Sequence, residues 1–146
     1  MTGSCPVRDD APKISGDMSG WTWTARIRDG LYQWTRVDFN DVAKDDWLPE
    51  EFRDLHPHSR TRGADVTWRI AERLAGPNWF MAGDAAATLD PTSSRGVLKS
   101  ILTGVMSGHL ADATIAGKLT PQQAASFYHQ WLLDWFDKDV GHMKQF

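Results

Sequence analysis

One stretch of the sequence connects a predicted sheet to predicted helices. It reads Trp79-Phe-Met-Ala-Gly-Asp-Ala-Ala-Ala-Thr-Leu-Asp-Pro-Thr-Ser-Ser-Arg-Gly-Val97. A short apolar run is followed by Gly83-Asp84, by a loop of small residues with Pro91, and by a helical pattern that begins at Gly96. This order predicts a strand, an acidic turn, a loop and a helix N-terminus. Proteins use such a layout to hold a polar cofactor against backbone N–H groups. We expect a sheet before this sequence and helices after it.

Each residue type in the loop suits contact with a flat, polar ligand. Gly83 allows a close backbone approach or a positive φ angle, and Asp84 ends the strand with a carboxylate that accepts hydrogen bonds from ligand hydroxyls. Pro91 stiffens the loop, and the N–H groups at Gly96 favour developing negative charge because they begin a helix. A plain strand–helix connection with an Asp beside it is the alternative. The candidate cofactor-binding residues are Gly83, Asp84, Pro91, Ser94, Gly96 and Val97.

Before the loop, alternating apolar and polar residues predict two antiparallel strands. Residues 20–27 place Trp21 and Trp23 on one face, and residues 31–39 form the second strand after the turn signal Arg28-Asp-Gly30. Two strands alone are marginally stable in water, so we expect the hairpin to extend a larger sheet.

The other segments before the loop carry weaker patterns. Residues 1–19 are polar and contain several Gly and Pro, which predicts a flexible lead-in. Residues 46–55 favour one short helix, residues 63–70 another strand and residues 71–78 a turn region. His56-Pro-His58 lacks a third ligand at a metal-site spacing, so we predict exposed loop histidines and no metal.

Two helices are predicted after the loop. Apolar residues recur at helical spacing between positions 98 and 110, and Gly104-x-x-x-Gly108 lies among them. Gly inside a helix costs about 1 kcal/mol relative to Ala, so this pair indicates close packing by another backbone. Gly117 predicts the end of this helix. Thr120-Pro-Gln-Gln123 is a capping box that begins a second helix over residues 121–140.

The composition limits the classes of function. With 146 residues, a formal net charge of −3 and a pI near 5.9, the chain has room for one domain and lacks the basic excess of a nucleic-acid-binding protein. No apolar run reaches the ~20 residues of a membrane span, and the first residues carry no apolar secretory segment. Cys5 is the sole cysteine, which suits a reducing compartment, so we expect a cytoplasmic protein.

Eight tryptophans are unusual for a chain of this length. Large core side chains explain most of them, and tryptophan is also frequent at protein interfaces. Trp21, Trp23 and Trp34 of the predicted hairpin are candidates for lining a substrate cavity, with sheet core as the alternative reading of the same side chains.

The loop resembles a known cofactor motif. Gly83-Asp-Ala-Ala86, Leu89-Asp-Pro91 and Ser94-x-Gly96 are similar to the second FAD-binding motif of the aromatic-hydroxylase-like flavoproteins, which include FAD monooxygenases and flavin-dependent halogenases. The form Asp-Pro-x-Ser-Ser-x-Gly-Val is closer to the halogenases and their monooxygenase relatives. More loosely, the hairpin resembles the substrate-side sheet. The pattern looks most like the monooxygenases that modify Trp side chains in quinone-cofactor biogenesis, as in quinohemoprotein amine dehydrogenase maturation.

The resemblance implies an α+β fold that forms the C-terminal part of a two-domain FAD-binding protein. In such a protein Asp84 would bind the ribityl and pyrophosphate portion of FAD, and Pro91 would lie beside the isoalloxazine. The backbone of Gly96 and Val97 would face the N1–O2 edge of the flavin, where reduced flavin is negative. NAD(P)H would be the reductant and an electron-rich aromatic ring the substrate. No catalytic acid–base pair is evident in the sequence.

The sequence departs from the family pattern in two places. The halogenase signature Trp-x-Trp-x-Ile-Pro has Ala25-Arg26 in place of Ile-Pro, which favours hydroxylation over halogenation. These enzymes also begin with a βαβ unit that carries Gly-x-Gly-x-x-Gly, and this sequence contains no Gly-x-Gly. We therefore expect a Rossmann-like N-terminal half on a separate chain or missing segment, as the partner of this one.

This interpretation divides the chain into three parts. They are a lead-in at residues 1–19, substrate-side sheet and loops at 20–78, and the FAD-motif strand, loop and helices at 79–146. The competing hypotheses are a portion of a halogenase and a non-catalytic subunit that docks through its Trp-rich surface.

Overall fold

The structure is a computed structural model that describes residues 1–3, 11–39 and 47–144. The chain is a small α+β protein with antiparallel sheets and two long helices. It divides into two compact units, Met1–Ala64 and Asp65–Phe146. The strands and helices are β1 (Lys13–Asp17), β2 (Gly20–Arg28), β3 (Leu31–Asp38), β4 (Arg69–Ile70), β5 (Ala75–Gly76), β6 (Trp79–Phe80), β7 (Ala87–Thr88), α1 (Gly96–Ile115) and α2 (Pro121–Met143). Short 3₁₀ helices span Glu50–Phe52, Gly83–Ala85 and Pro91–Ser93.

The first unit contains a three-stranded antiparallel sheet in the order β1-β2-β3. The predicted hairpin of β2 and β3 is present, with an irregularity between Arg26 and Arg28. The predicted lead-in is wrong over Lys13–Asp17, because this segment forms β1 and pairs with β2. All five residues of β1 are exposed, and the segment lacks the alternation of apolar and polar residues that predicts a half-buried strand. Cys5 lies outside the described residues.

A small apolar cluster completes the first unit. Tyr32, Phe52 and Leu55 are buried, and the rings of Tyr32 and Phe52 lie 5.5 Å apart. The helix predicted at residues 46–55 is a single 3₁₀ turn at Glu50–Phe52, and residue 46 lies outside the described residues. Pro49 precedes this turn in extended conformation, which prevents an earlier helical start.

The second unit begins at Asp65. Its first strands belong with the helices, because β4 pairs with β7 and β5 packs against α2. The strand predicted at residues 63–70 is reduced to the two residues of β4. The predicted turn region contains β5, which pairs with β6 in a short antiparallel hairpin whose strands have two residues each.

Two long helices complete the second unit. The capping box of α2 is present, since Gln123 N–H donates to Thr120 Oγ1 and the Gln123 side chain accepts from the Thr120 N–H. Gly117 has φ +70° just after α1, which confirms the predicted helix end. Neither described helix combines the length and apolar character that a membrane crossing requires. The buried core consists of Leu74, Ala86, Leu110, Ala124, Tyr128 and Leu132.

Tyr128 links this core to the segment before the Gly83 turn, because its hydroxyl donates to the Met81 carbonyl. Burial raises the pKa of Tyr128, and the Thr103 hydroxyl has a smaller, opposite effect. The stability that this group contributes is therefore full below its ordinary pKa of 10.0 and is lost as pH rises through the raised value. We expect Tyr128→Phe to cost about 1 kcal/mol at neutral pH and to reduce the alkaline loss.

Urea unfolding of both proteins between neutral pH and about pH 11 measures this effect. Tyr32→Phe is the control, because the Tyr32 ring is also buried but belongs to the first unit. An unchanged alkaline loss in Tyr128→Phe would contradict the assignment to this hydroxyl.

Candidate functional site

The turn at Gly83 has the geometry that its sequence predicts. Gly83 has φ +62°, and a Cβ atom there would lie 2.9 Å from Ser100 Oγ. Its N–H donates to Thr103 Oγ1 at 3.0 Å, and Thr103 is buried on α1. Glycine is required here both by the left-handed backbone and by the close approach of α1.

Asp84 forms an ion pair with a buried lysine of α1. Lys99 Nζ lies 2.6 Å from Asp84 Oδ1 and also donates to the carbonyl of Ala87. The Lys99 side chain is only 5% exposed, whereas that of Asp84 is 78% exposed. The Asp84 carboxylate therefore faces solvent, and the buried Lys99 ammonium balances its negative charge. Sequence reasoning missed Lys99, because a single Lys inside an apolar helical pattern does not reveal which way it points.

Asp90 organises the loop that follows. Its side chain accepts from the backbone N–H of Thr92 at 2.9 Å and from the Thr92 hydroxyl at 2.7 Å, which caps the 3₁₀ turn Pro91–Ser93. Ser94 then adopts φ +52°, an uncommon left-handed conformation for a residue other than glycine. The chain is thereby turned into the start of α1. The signal for this cap was the Asp-Pro pair itself.

An ion pair joins the loop to the C-terminal helix. Arg95, the residue before α1, donates to Asp139 Oδ1 of α2. Asp139 is 3% exposed, and its second oxygen is buried without a hydrogen-bond partner among the described residues. Arg95 is about half exposed. This pair could not be predicted from the sequence, because its two residues are 44 positions apart and no local pattern connects them.

The N-terminus of α1 is open. No side chain of the described residues caps it. Apart from the chain neighbours and the backbone of α1 itself, no described atom lies within 4 Å of the position that a Cβ of Gly96 would occupy. Val97 is 76% exposed. The first N–H groups of a helix lack intrahelical acceptors and carry partial positive charge. This end of α1 can therefore accept a negatively polarised atom from outside the chain.

The three candidate tryptophans of the first unit do not share a face of the sheet. Trp21 and Trp23 lie opposite Val37 and Thr35, whereas Trp34 lies opposite Thr24. Neighbouring residues of a strand point to opposite faces, so Trp34 is on the other side from Trp21 and Trp23. No cavity over one face of this sheet can be lined by all three. The Trp34 ring contacts Trp47, 5.4 Å away.

The six candidate cofactor residues belong to the second unit, and the three tryptophans belong to the first. The motif residues fit an FAD-type ligand in two respects: Asp84 presents an exposed carboxylate to hydroxyl donors, and Gly96 leaves the helix N-terminus accessible. Their roles toward a flavin stay predictions. Within the described ranges, no three His, Cys, Asp or Glu side chains form a group able to hold a metal ion.

The chain is similar to a tryptophan 2-halogenase from Chondromyces crocatus. The two proteins are 33% identical over 76 residues, which is 52% of this chain and 14% of the halogenase. This partial similarity supports, at its coarsest level, the superfamily that the motif indicates. No protein-family profile matches the chain, and no solved structure matches it.

Proposed function

We propose that this chain is the C-terminal portion of an FAD-dependent enzyme that modifies an aromatic ring. The observation that supports it best is the open N-terminus of α1, which follows the Gly83-Asp84 turn and a loop in the order of the FAD motif. The similarity to a tryptophan 2-halogenase agrees with this interpretation. The rest of the enzyme, including the dinucleotide-binding half, would come from a partner chain or a longer form of this one.

The residues of the second unit would each hold one part of the cofactor. Asp84 would accept hydrogen bonds from the ribityl and pyrophosphate portion, and Lys99 keeps its carboxylate in place. The N–H groups at Gly96 and Val97 would stabilise negative charge at the N1–O2 edge, because a helix N-terminus favours anions. Pro91 would lie beside the ring. When bound, FAD would supply the redox chemistry, with NAD(P)H as reductant.

Hydroxylation is the reaction that we propose first. Ala25-Arg26 replaces the Ile-Pro of the halogenase signature, and the pattern resembles monooxygenases that act on Trp side chains of a partner protein in quinone-cofactor formation. Halogenation is the second candidate, and the similarity to a tryptophan 2-halogenase favours it. Incubation of the assembled enzyme with a Trp-containing peptide separates them: hydroxylation adds one oxygen atom, and halogenation replaces hydrogen by chlorine or bromine only when halide is present.

The role of Asp84 gives a direct test of cofactor binding. We expect Asp84→Ala to weaken FAD binding by the assembled protein about tenfold, because one charge-assisted hydrogen bond is lost. The dissociation constant is measured from the flavin visible bands. Asp137→Ala, an exposed carboxylate of α2, should leave it unchanged.

Lys99→Met is the second control, because it breaks the same ion pair and leaves the carboxylate. FAD affinity that falls equally in Lys99→Met would assign the effect to the ion pair and not to contact between Asp84 and the cofactor. An assembly that stays colourless with added FAD would reject the flavoprotein and leave the non-catalytic docking subunit as the better hypothesis.

A further inference from the structure

The first unit has an open groove of about 540 Å³ that takes no part in the proposed function. The residues that line it come from the N-terminal segment, from the turn between β2 and β3, and from the chain that follows the 3₁₀ turn Glu50–Phe52. They are Thr2, Arg28, Asp29, Gly30, Leu31 and His58.

Backbone hydrogen bonds hold these segments of the groove together. The Thr2 N–H donates to the His56 carbonyl at 2.8 Å, and the His56 N–H donates to the Thr2 carbonyl at 3.0 Å. The next residue, Gly3, donates from its N–H to the Gly30 carbonyl at 3.0 Å. The N-terminal segment therefore joins the β2–β3 turn to the segment that contains the histidines, and the groove is formed by paired backbone.

The irregularity in the β2–β3 pairing determines the direction of Arg28. Arg26 lies opposite Tyr32, whereas Arg28 lies opposite Leu31, so β2 has one extra residue here. Residues opposite each other in an antiparallel pair share a face, and neighbours in a strand point to opposite faces. Arg28 therefore shares the face of Leu31, and regular alternation would have placed it on the face of Arg26. Such bulges redirect single side chains and are frequent next to functional sites.

The groove has positively charged and donor groups without counter-charges. Asp29, the carboxylate among its lining residues, is paired with Arg26 at 3.1 Å. The side chains of Arg28 and His58 form no hydrogen bond or ion pair with any described residue. A guanidinium binds phosphate through two parallel hydrogen bonds, and an imidazole supplies an N–H donor in either charge state. The lining therefore favours an anion with several acceptor oxygens.

We propose that this groove binds the phosphate group of a small phosphorylated molecule. Arg28 binds two of the phosphate oxygens, and His58 donates to the third. A carboxylate has only two oxygens and leaves one of these donors unused. Leu31 is partly buried on the face of Arg28 and contacts the organic part of the ligand. The proposal is independent of the flavin site, because the groove residues all belong to the first unit.

Titration of the full chain with phenyl phosphate at low ionic strength tests the proposal, with amide chemical shifts as the readout. We expect Arg28→Ala to weaken the binding about tenfold, because the bidentate, charge-assisted pair is lost. Arg62→Ala is the matched control, since Arg62 is also an exposed arginine of the first unit but does not line the groove. An equal loss in both variants would assign the binding to general positive charge and overturn the site.

The two histidines of His56-Pro-His58 give a second matched pair. We expect His58→Ala to weaken the binding about threefold, because one hydrogen bond is lost. His56→Ala should leave it unchanged, because His56 is exposed but does not line the groove. Circular dichroism should be the same for all four variants, since the substituted side chains are exposed. An equal loss in both histidine variants would overturn the proposed geometry.

Inorganic phosphate distinguishes a phosphorylated molecule from the free anion. We expect phenyl phosphate to bind at least about threefold more tightly, because its ring removes apolar surface of Leu31 from water. Equal affinities would overturn the phosphorylated molecule and assign the groove to free phosphate. Chemical shifts at the groove that do not saturate with either probe up to about 20 mM would overturn the site altogether.

Discussion

Lys99→Ala is expected to lower the free energy of unfolding of the second unit by about 3 kcal/mol. Lys99 Nζ is the donor to the Ala87 carbonyl and to Asp84, and the Lys99 side chain is only 5% exposed. Truncation leaves a buried carbonyl without its donor and opens a cavity. The lost attraction to Asp84 adds little, because that carboxylate is 78% exposed and screened by water.

Urea unfolding and hydrogen exchange of α1 amides measure the loss. Lys99→Met keeps most of the stem and should cost less, about 1–2 kcal/mol, which separates the hydrogen bonds from the packing. Lys138→Ala, an exposed helical lysine, is the matched control and should change stability by less than about 0.5 kcal/mol. A Lys99→Ala protein as stable as this control would mean that the side chain is not buried in solution.

Arg95→Ala is expected to destabilise the second unit by about 2 kcal/mol. It removes the cation beside Asp139, which is 3% exposed and has one oxygen without a partner among the described residues. A buried carboxylate without a counter-charge is more costly than the ordinary loss of a surface ion pair. The estimate lies below that for a fully buried pair because Arg95 is about half exposed.

A double-mutant cycle with Asp139→Asn identifies the cause. The double variant should recover about 1 kcal/mol relative to Arg95→Ala, since the amide is neutral and tolerates burial better. Arg73→Ala, an exposed arginine of the same unit, serves as the control. Additive effects of the two substitutions would show that Arg95 and Asp139 do not interact, and would remove the tether between the candidate loop and α2.

Local signals predicted the elements whose stability is local. The β2–β3 hairpin follows from alternation and its turn, and the α2 start follows from a capping box within four residues. Gly83 and Gly117 adopt positive φ as their positions predict. The strand β1 could not be predicted, because a polar edge strand is held by backbone hydrogen bonds to β2 and not by its own side chains.

The candidate site divides in the same way. Its order of residues from Gly83 to Val97 was evident in the sequence, because a turn, a Pro-containing loop and a helix start each have local signatures. The Lys99–Asp84 and Arg95–Asp139 pairs were not evident, since which side of α1 faces the unit is decided by packing. The strand register was also needed to assign each tryptophan to a face of the sheet. It places Trp34 on the opposite face from Trp21 and Trp23.

The sequence by itself determined the hairpin, the two helices and the turn at Gly83, because periodicity, caps and glycine conformations act over a few residues. The tertiary structure alone decided the orientation of α1. Periodicity shows that a helix has an apolar stripe but not what covers it. In this protein the buried side of α1 carries Lys99, which donates to Asp84 and to the Ala87 carbonyl. It also carries Thr103, whose hydroxyl accepts from the Gly83 N–H. Apolar residues of α1 are left exposed on the surface.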